Sequence, residues 1–256
     1  MSATNNNLHI WEQVEETALG ATKQAKLEGR TVTSINGVAM FKEATKIWGP
    51  VGIGWGYEIL DEVFQHGGPI FDDANMKVAD NMVHTIKLEL WYKDGEDTGK
   101  VVQFGHTPFI YKTKYGPKTD FEAPKKSLTD AIKKCLSMLG FSADIFMGMF
   151  DDQEYTDALA IKEKIKKADD TAVETQVQRD ELRAWMEKEL AAYPLIPNKA
   201  SLKHVCQGHL NSAQLKCQAV GVPFEAVQKS FIAARDKQAE AIDKKKETET
   251  KKGDKK

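Results

Sequence analysis

The chain lacks any run of apolar residues long enough to span a bilayer. Its first residues, Met-Ser-Ala-Thr-Asn-Asn-Asn, lack the charged and apolar regions of a secretory leader. A membrane-spanning or exported protein is therefore not expected. Cysteine is scarce: Cys135, Cys206 and Cys217 form an odd set, two at least in helical patterns, which argues against a disulfide framework and suits a reducing cytoplasm. Net charge is only -2, so the protein as a whole is no general electrostatic sink for nucleic acid. No internal repeat is present. What the chain does have is 256 residues at 41% hydrophobic content, enough for a real core in one large domain or in one domain plus a smaller module.

The charge is unevenly distributed. Residues 1–99 carry 8 Lys and Arg against 15 Asp and Glu, whereas residues 100–134 carry 8 Lys against 3 acids. One basic stretch in an otherwise acidic domain reads as a localised anion site, suited to a polyanion lying along one groove.

Hydrophobic periodicity predicts a first helix over about Trp11–Leu27, with Ile10, Val14, Ala18, Ala21 and Ala25 on one face. A second, Val38–Trp48, ends at Gly49-Pro50. Alternation of Ile53, Trp55, Tyr57 and Ile59 predicts a strand over residues 51–60, followed by a Gly- and Asp-rich loop from Gln65 to Asp73. His84–Tyr92 and Val101–Tyr111 are the next two strands, joined by a turn marked by Asp94-Gly95. The fold class is α+β: an antiparallel β-meander packed against helices, plus a small C-terminal helical module. The expected division is a core domain over 1–152, a charged linker helix over 153–179, a helical module over 180–235, and a disordered charged tail over 236–256.

Several candidate chemistries are weak. Gly52-x-Gly54-x-Gly56 sits in a strand pattern, and no helix opens after it to cradle a phosphate. His204, Cys206, His209 and Cys217 are zinc-type ligands without a finger spacing, and read better as helix packing. Asp72-Asp73 and Asp151-Asp152 read better as solvated caps than as metal carboxylates, although a metal-dependent nuclease built on them stays a rival. Nothing demands an enzyme, a metal or a cofactor.

The basic segment is better furnished. From Ala123 to Gly140 the chain reads as one helix, with Pro124 in its first turn and Gly140 just past its end. Leu128, Ala131, Ile132, Cys135, Leu136 and Leu139 form its apolar stripe. Lys126, Lys133 and Ser137 point the other way, with Lys134 on the flank. Just upstream, Phe109, Tyr111, Tyr115 and Phe121 interleave with Lys112, Lys114, Lys118, Lys125 and Lys126. Lysines on phosphates and aromatics as stacking platforms are how single-stranded nucleic acid is commonly held, and Tyr115, in a loop before Gly116-Pro117, is the better stacking candidate. A nucleic-acid binding module without annealing activity, such as a double-stranded RNA binder, is the other rival.

The order of a helix, Trp48-Gly49-Pro50-x-Gly52-x-Gly54-Trp55, a three-stranded meander, and Lys125-Lys-Ser-Leu-Thr-Asp-Ala-Ile-Lys-Lys-Cys-Leu-x-x-Leu-Gly140 resembles phage single-strand annealing proteins of the Sak type. More distantly it is similar to the annealing domain of the eukaryotic Rad-class recombination mediator. The likeness covers about residues 34–152, and Thr129-Asp130-Ala131-x-Lys133-Lys134 is its most specific part. It implies a β-β-β-α core, ring or filament homo-oligomers, and ATP-independent annealing of complementary DNA strands in the host bacterial cytoplasm. It also implies that Lys125, Lys133 and Lys134 line an inner groove for single-stranded DNA. Two positions depart from the eukaryotic pattern: Ser137 and Ala39 stand where it has basic residues, and Lys42 or Lys46 substitutes for the second. Host single-strand binding protein, through the C-terminal module, and a phage exonuclease are the candidate partners.

Overall fold

The computed structural model describes residues 6–27 and 30–253. The chain divides into two compact units, Met1–Gly148 and Met149–Lys256.

The first unit opens with a single helical turn, α1 (Trp11–Val14), and a 3-10 turn over Leu19–Ala21. An antiparallel hairpin of β1 (Thr22–Leu27) and β2 (Arg30–Ile35) follows. This replaces the single helix expected over Trp11–Leu27. The helix stops because Thr17 is taken elsewhere: its backbone N–H and its hydroxyl both donate to the buried Asp144 carboxylate, at 2.7 and 2.6 Å. Ile10 and Val14 are buried as expected, while Ala18 is exposed and the side chain of Ala25 lies outside the described residues.

Helix α2 (Gly37–Trp48) starts where its sequence says, with the Asn36 side chain accepting from Val38 N–H. A four-stranded antiparallel sheet follows in chain order: β3 (Trp55–Phe71), β4 (Lys77–Asp94), β5 (Asp97–Thr113) and β6 (Gly116–Thr119). Two expectations are corrected here. Ile53 lies in a turn before β3, and the expected loop at residues 65–71 is strand. The Gly67-Gly68-Pro69 run, which read as loop, sits in a strand at the sheet edge, where register shifts between His66 and Pro69 absorb it. The Lys114-Tyr115 turn leads into β6, which begins at Gly116-Pro117 and adds a fourth strand to the expected three.

Helix α3 (Ala123–Met138) lies across β4 and β5, and the short α4 (Ala143–Phe146) follows. Its apolar stripe is the one expected: Ala131, Ile132, Cys135 and Leu136 are buried, together with Ile86, Leu88 and Leu90 of β4, Met40 and Ala44 of α2, and Trp55. Burial of this kind contributes about 25 cal/mol per Å² of apolar surface, which outweighs any helix propensity in holding α3 in place. Gly105 lets α3 approach closely, because a Cβ there would fall 1.9 Å from the Ser127 carbonyl oxygen.

The second unit is helical: α5 (Gln153–Lys167), α6 (Thr171–Ala192), α7 (Lys199–Val220) and α8 (Phe224–Gly253). Its core gathers Leu182, Tyr193, Leu202, Cys206, Cys217 and Phe231. Where the sequence suggested a charged linker over 153–179, α5 packs Ile161 and Ile165 on this core and buries Ala158 and Leu159. Where it suggested a disordered tail from residue 236, α8 continues, and Ile242 is buried in the same cluster. In both segments a few apolar residues at helical spacing are diluted by charge, which hides the stripe from composition.

Candidate nucleic-acid interface

α3 is anchored through its apolar face, so its polar face is presented rigidly. A cavity of about 280 Å³ lies along it, lined by Lys125, Lys126, Thr129, Asp130 and Lys133. Thr129 also lines a second, mostly apolar groove of about 600 Å³ between α2, α3 and the start of β3, where Phe41, Lys42, Trp55, Tyr57 and Leu128 contribute. The two hollows therefore adjoin at Thr129. Gly37 is what brings α2 this close: a Cβ there would meet the Thr129 methyl at 2.9 Å and the Lys133 stem at 3.5 Å.

The lysines of this region are not equivalent. Lys125 pairs with Glu122, Lys126 with Asp120, Lys134 with Asp130, and Lys46 with Glu43. The Lys126 hydrogen bond holds the Asp120 carboxyl below the usual carboxylate range. Lys133 stands apart. It is half-buried, and among the described residues it has no hydrogen bond and no ion pair. Burial pushes its ammonium below the ordinary lysine range; nearby Asp130 opposes this, and Lys23 and Lys134 add to it by repulsion. A desolvated cation crowded by two others is relieved by an anion.

The remaining predicted residues sit elsewhere. Lys42 is exposed and lines the apolar groove, whereas Lys46 lines neither hollow. Lys112, Lys114, Tyr115 and Lys118 lie on the β5–β6 hairpin and also line neither. The Lys112 ammonium donates to the Phe71 carbonyl at 2.7 Å, and Lys114 stacks over the Tyr115 ring at 4.8 Å. Tyr115 is 88% exposed and Phe121 82%. Phe109 is half-buried between Phe64 and Phe121. Lys23 is the residue that sequence reasoning missed. It lies far from α3 in sequence, and only the β1–β2 hairpin, which read as helix, carries it to Lys133.

The rejected motifs have structural uses. Asp72 accepts from Ala74 and Met76 N–H in the turn between β3 and β4, and Asp152 caps α5. Cys206 and Cys217 are core residues of α7, and His209 sits between Tyr193 and Glu189. Among the described residues no three His, Cys, Asp or Glu come together to hold a metal ion. No helix among them is long and apolar enough to cross a membrane.

No protein-family model, no curated protein and no solved structure matches the chain.

Proposed function

We propose that the chain binds single-stranded DNA and anneals complementary strands without ATP, in homologous recombination of the phage type. The observation that supports this most is Lys133, a half-buried ammonium with no carboxylate of its own, beside Lys23 and Lys134 on a rigid helix face. Such a group favours a phosphate. Lys125 and Lys126 line the same cavity; a polyanion competes for Lys125 against an exposed ion pair worth little, about 0–1 kcal/mol, whereas Lys126 is held by the mostly buried Asp120. A strand held by its phosphates leaves its base edges outward. Neutralising those phosphates removes the repulsion that opposes a second strand, and pairing energy then drives annealing. No enzyme chemistry and no cofactor enter this reading. Its partners are further copies of the chain in a ring or filament, host single-strand binding protein docked on the helical module, and an exonuclease that exposes the strands. Its setting is the bacterial cytoplasm.

The test is titration of a labelled oligonucleotide, followed by an ATP-free annealing assay. Lys133→Met keeps the aliphatic stem and removes the charge. It should weaken single-strand binding by about 1–3 kcal/mol and reduce the salt slope by about one. An unchanged salt slope removes Lys133 from the site. Equal affinity for duplex, or shortening of the strands in magnesium, favours a rival function.

A further inference from the structure

The groove between α2, α3 and the start of β3 puts apolar side chains into water. Val38, Val51 and Tyr57 in its lining are 70, 57 and 40% exposed. Phe41 and the buried Trp55 also line it, their rings 6.3 Å apart. The Trp55 indole N–H donates to the Thr45 hydroxyl at 3.3 Å, so that ring offers the groove no open donor. The volume of about 600 Å³ lies in the range of small-molecule sites, and a concave apolar surface of this size with a few polar groups marks a binding site. The polar groups here are the Thr45 and Thr129 hydroxyls and the Lys42 ammonium; among the described residues no acid lines the groove.

The basic cavity that holds Lys133 shares Thr129 with this groove. An occupant that reaches both hollows needs an anionic group beside Lys133 and a flat apolar body next to it. Phe41 and Tyr57 offer rings to such a body, and Thr45, Thr129 and Lys42 offer donors to heteroatoms on its edge. An acyl chain has no such edge, whereas a nucleotide has all three parts. We infer that this groove seats one base of a bound single strand, turned inward from the phosphate at Lys133, and that the seat is what distinguishes single strand from duplex. The inference rests on the single-strand reading and adds the part of the site that selects. The lysine cavity meets only phosphate, which both forms of DNA carry. The groove takes a base only when that base is free. In a duplex the same base must first be extruded, at the cost of its pairing and stacking. The other bases stay outward. The seated base is out of reach of a second strand, so annealing withdraws it, and the finished duplex is held more loosely than the strand it came from.

The experiment measures binding of the full-length chain to three fluorescent probes of equal length: an oligothymidylate, an abasic sugar-phosphate strand, and a duplex. Tyr57→Thr removes the ring with a residue that suits a strand, and Tyr57→Phe keeps the ring. Stacking on one aromatic side chain is worth a factor of about 5 to 150 in affinity. Tyr57→Thr should weaken oligothymidylate binding by such a factor, leave the abasic strand unchanged, and shrink the preference for single strand over duplex. Tyr57→Phe should bind as the parent does, and Lys133→Met should weaken all three probes. Thymidine monophosphate at equal nucleotide concentration should not displace the oligothymidylate, because it brings one phosphate where the strand brings many. A Tyr57→Thr protein that keeps the parent's ratio of thymine to abasic affinity overturns the base seat and leaves the phosphate reading standing. Loss of both strands alike also overturns it, and makes the groove part of the fold or a contact between copies. Displacement by the free nucleotide overturns it in favour of a mononucleotide site. A Lys133→Met protein that binds all three probes as the parent does overturns the phosphate reading, and the base seat with it.

Discussion

Substituting Gly105 tests whether α3 is seated on the sheet as described. A Cβ at this position would lie 1.9 Å from the Ser127 carbonyl oxygen, 2.7 Å from Ala131 N and 2.9 Å from the Ser127 carbonyl carbon. These are backbone atoms of α3 and cannot swing aside as a flexible side chain does. Ordinary contact begins near 3.4 Å, so strand and helix must separate by about 1.5 Å, the difference between 3.4 and 1.9. The gap opens above the core formed by Leu88, Leu90, Ala131 and Leu136. Overpacking commonly costs about 1–3 kcal/mol, and a clash with helix backbone belongs at or above the top of that range. Taking about 3 kcal/mol, and about 2–4 °C per kcal/mol for a unit of this size, Gly105→Ala should lower its melting temperature by about 6–12 °C. Differential scanning calorimetry reads this directly, with Gly68→Ala as the control. Gly68 lies in β3, has no positive φ, and has nothing within 4 Å of a built Cβ. Its alanine variant should melt within about 0.5 kcal/mol of the parent, or be slightly more stable through the unfolded chain. A Gly105→Ala protein that melts with the parent, or two variants that shift alike, would show that α3 is not seated against Gly105.

Leu136→Ala removes a fully buried side chain from the α3 stripe and should cost about 2–5 kcal/mol, read as a lower midpoint in a urea titration. Burial pushes the Cys135 thiol from its ordinary value of 9.0 up to about 11, and pushes Cys217 up as well. Both should resist a thiol-specific reagent at neutral pH until the protein is unfolded. The same shift has a linkage consequence. For Cys135, between about pH 9 and 11 the unfolded chain has lost the proton while the folded chain keeps it, so stability present below that window should fall as pH rises through it, by up to about 1.4 kcal/mol per unit. A flat melting temperature over that range contradicts the burial of Cys135. A chain of residues 1–148 alone should unfold cooperatively and retain strand affinity, because the α3 cavity and the sheet lie within the first unit.

The legible parts of the fold were those with strong local signals. α3 could be read because Pro124, a continuous apolar stripe and Gly140 mark its start, face and end. β4 and β5 could be read from alternation around Asp94-Gly95. The expected helix over Trp11–Leu27 was not found, because its apolar spacing is equally available to a short helical turn followed by a hairpin, and the contact that decides between them is Thr17 on Asp144, 127 residues away. The reach of β3 through Gly67-Gly68-Pro69 was hidden for a similar reason. Glycine and proline end most strands, and only a position at the sheet edge accommodates them.

The candidate site divides in the same way. Within the first unit, local sequence alone places most lysines between residues 100 and 134 and turns Lys126 and Lys133 away from the α3 stripe, since helical periodicity and charge are local properties. Which lysines are already neutralised depends on the folded chain. Carboxylates within a few residues claim Lys125, Lys126, Lys134 and Lys46, while Lys133 is desolvated against α2 and crowded by Lys23 from a distant hairpin. Burial and Coulomb repulsion depend on distance in space, and spacing along the chain carries no record of it.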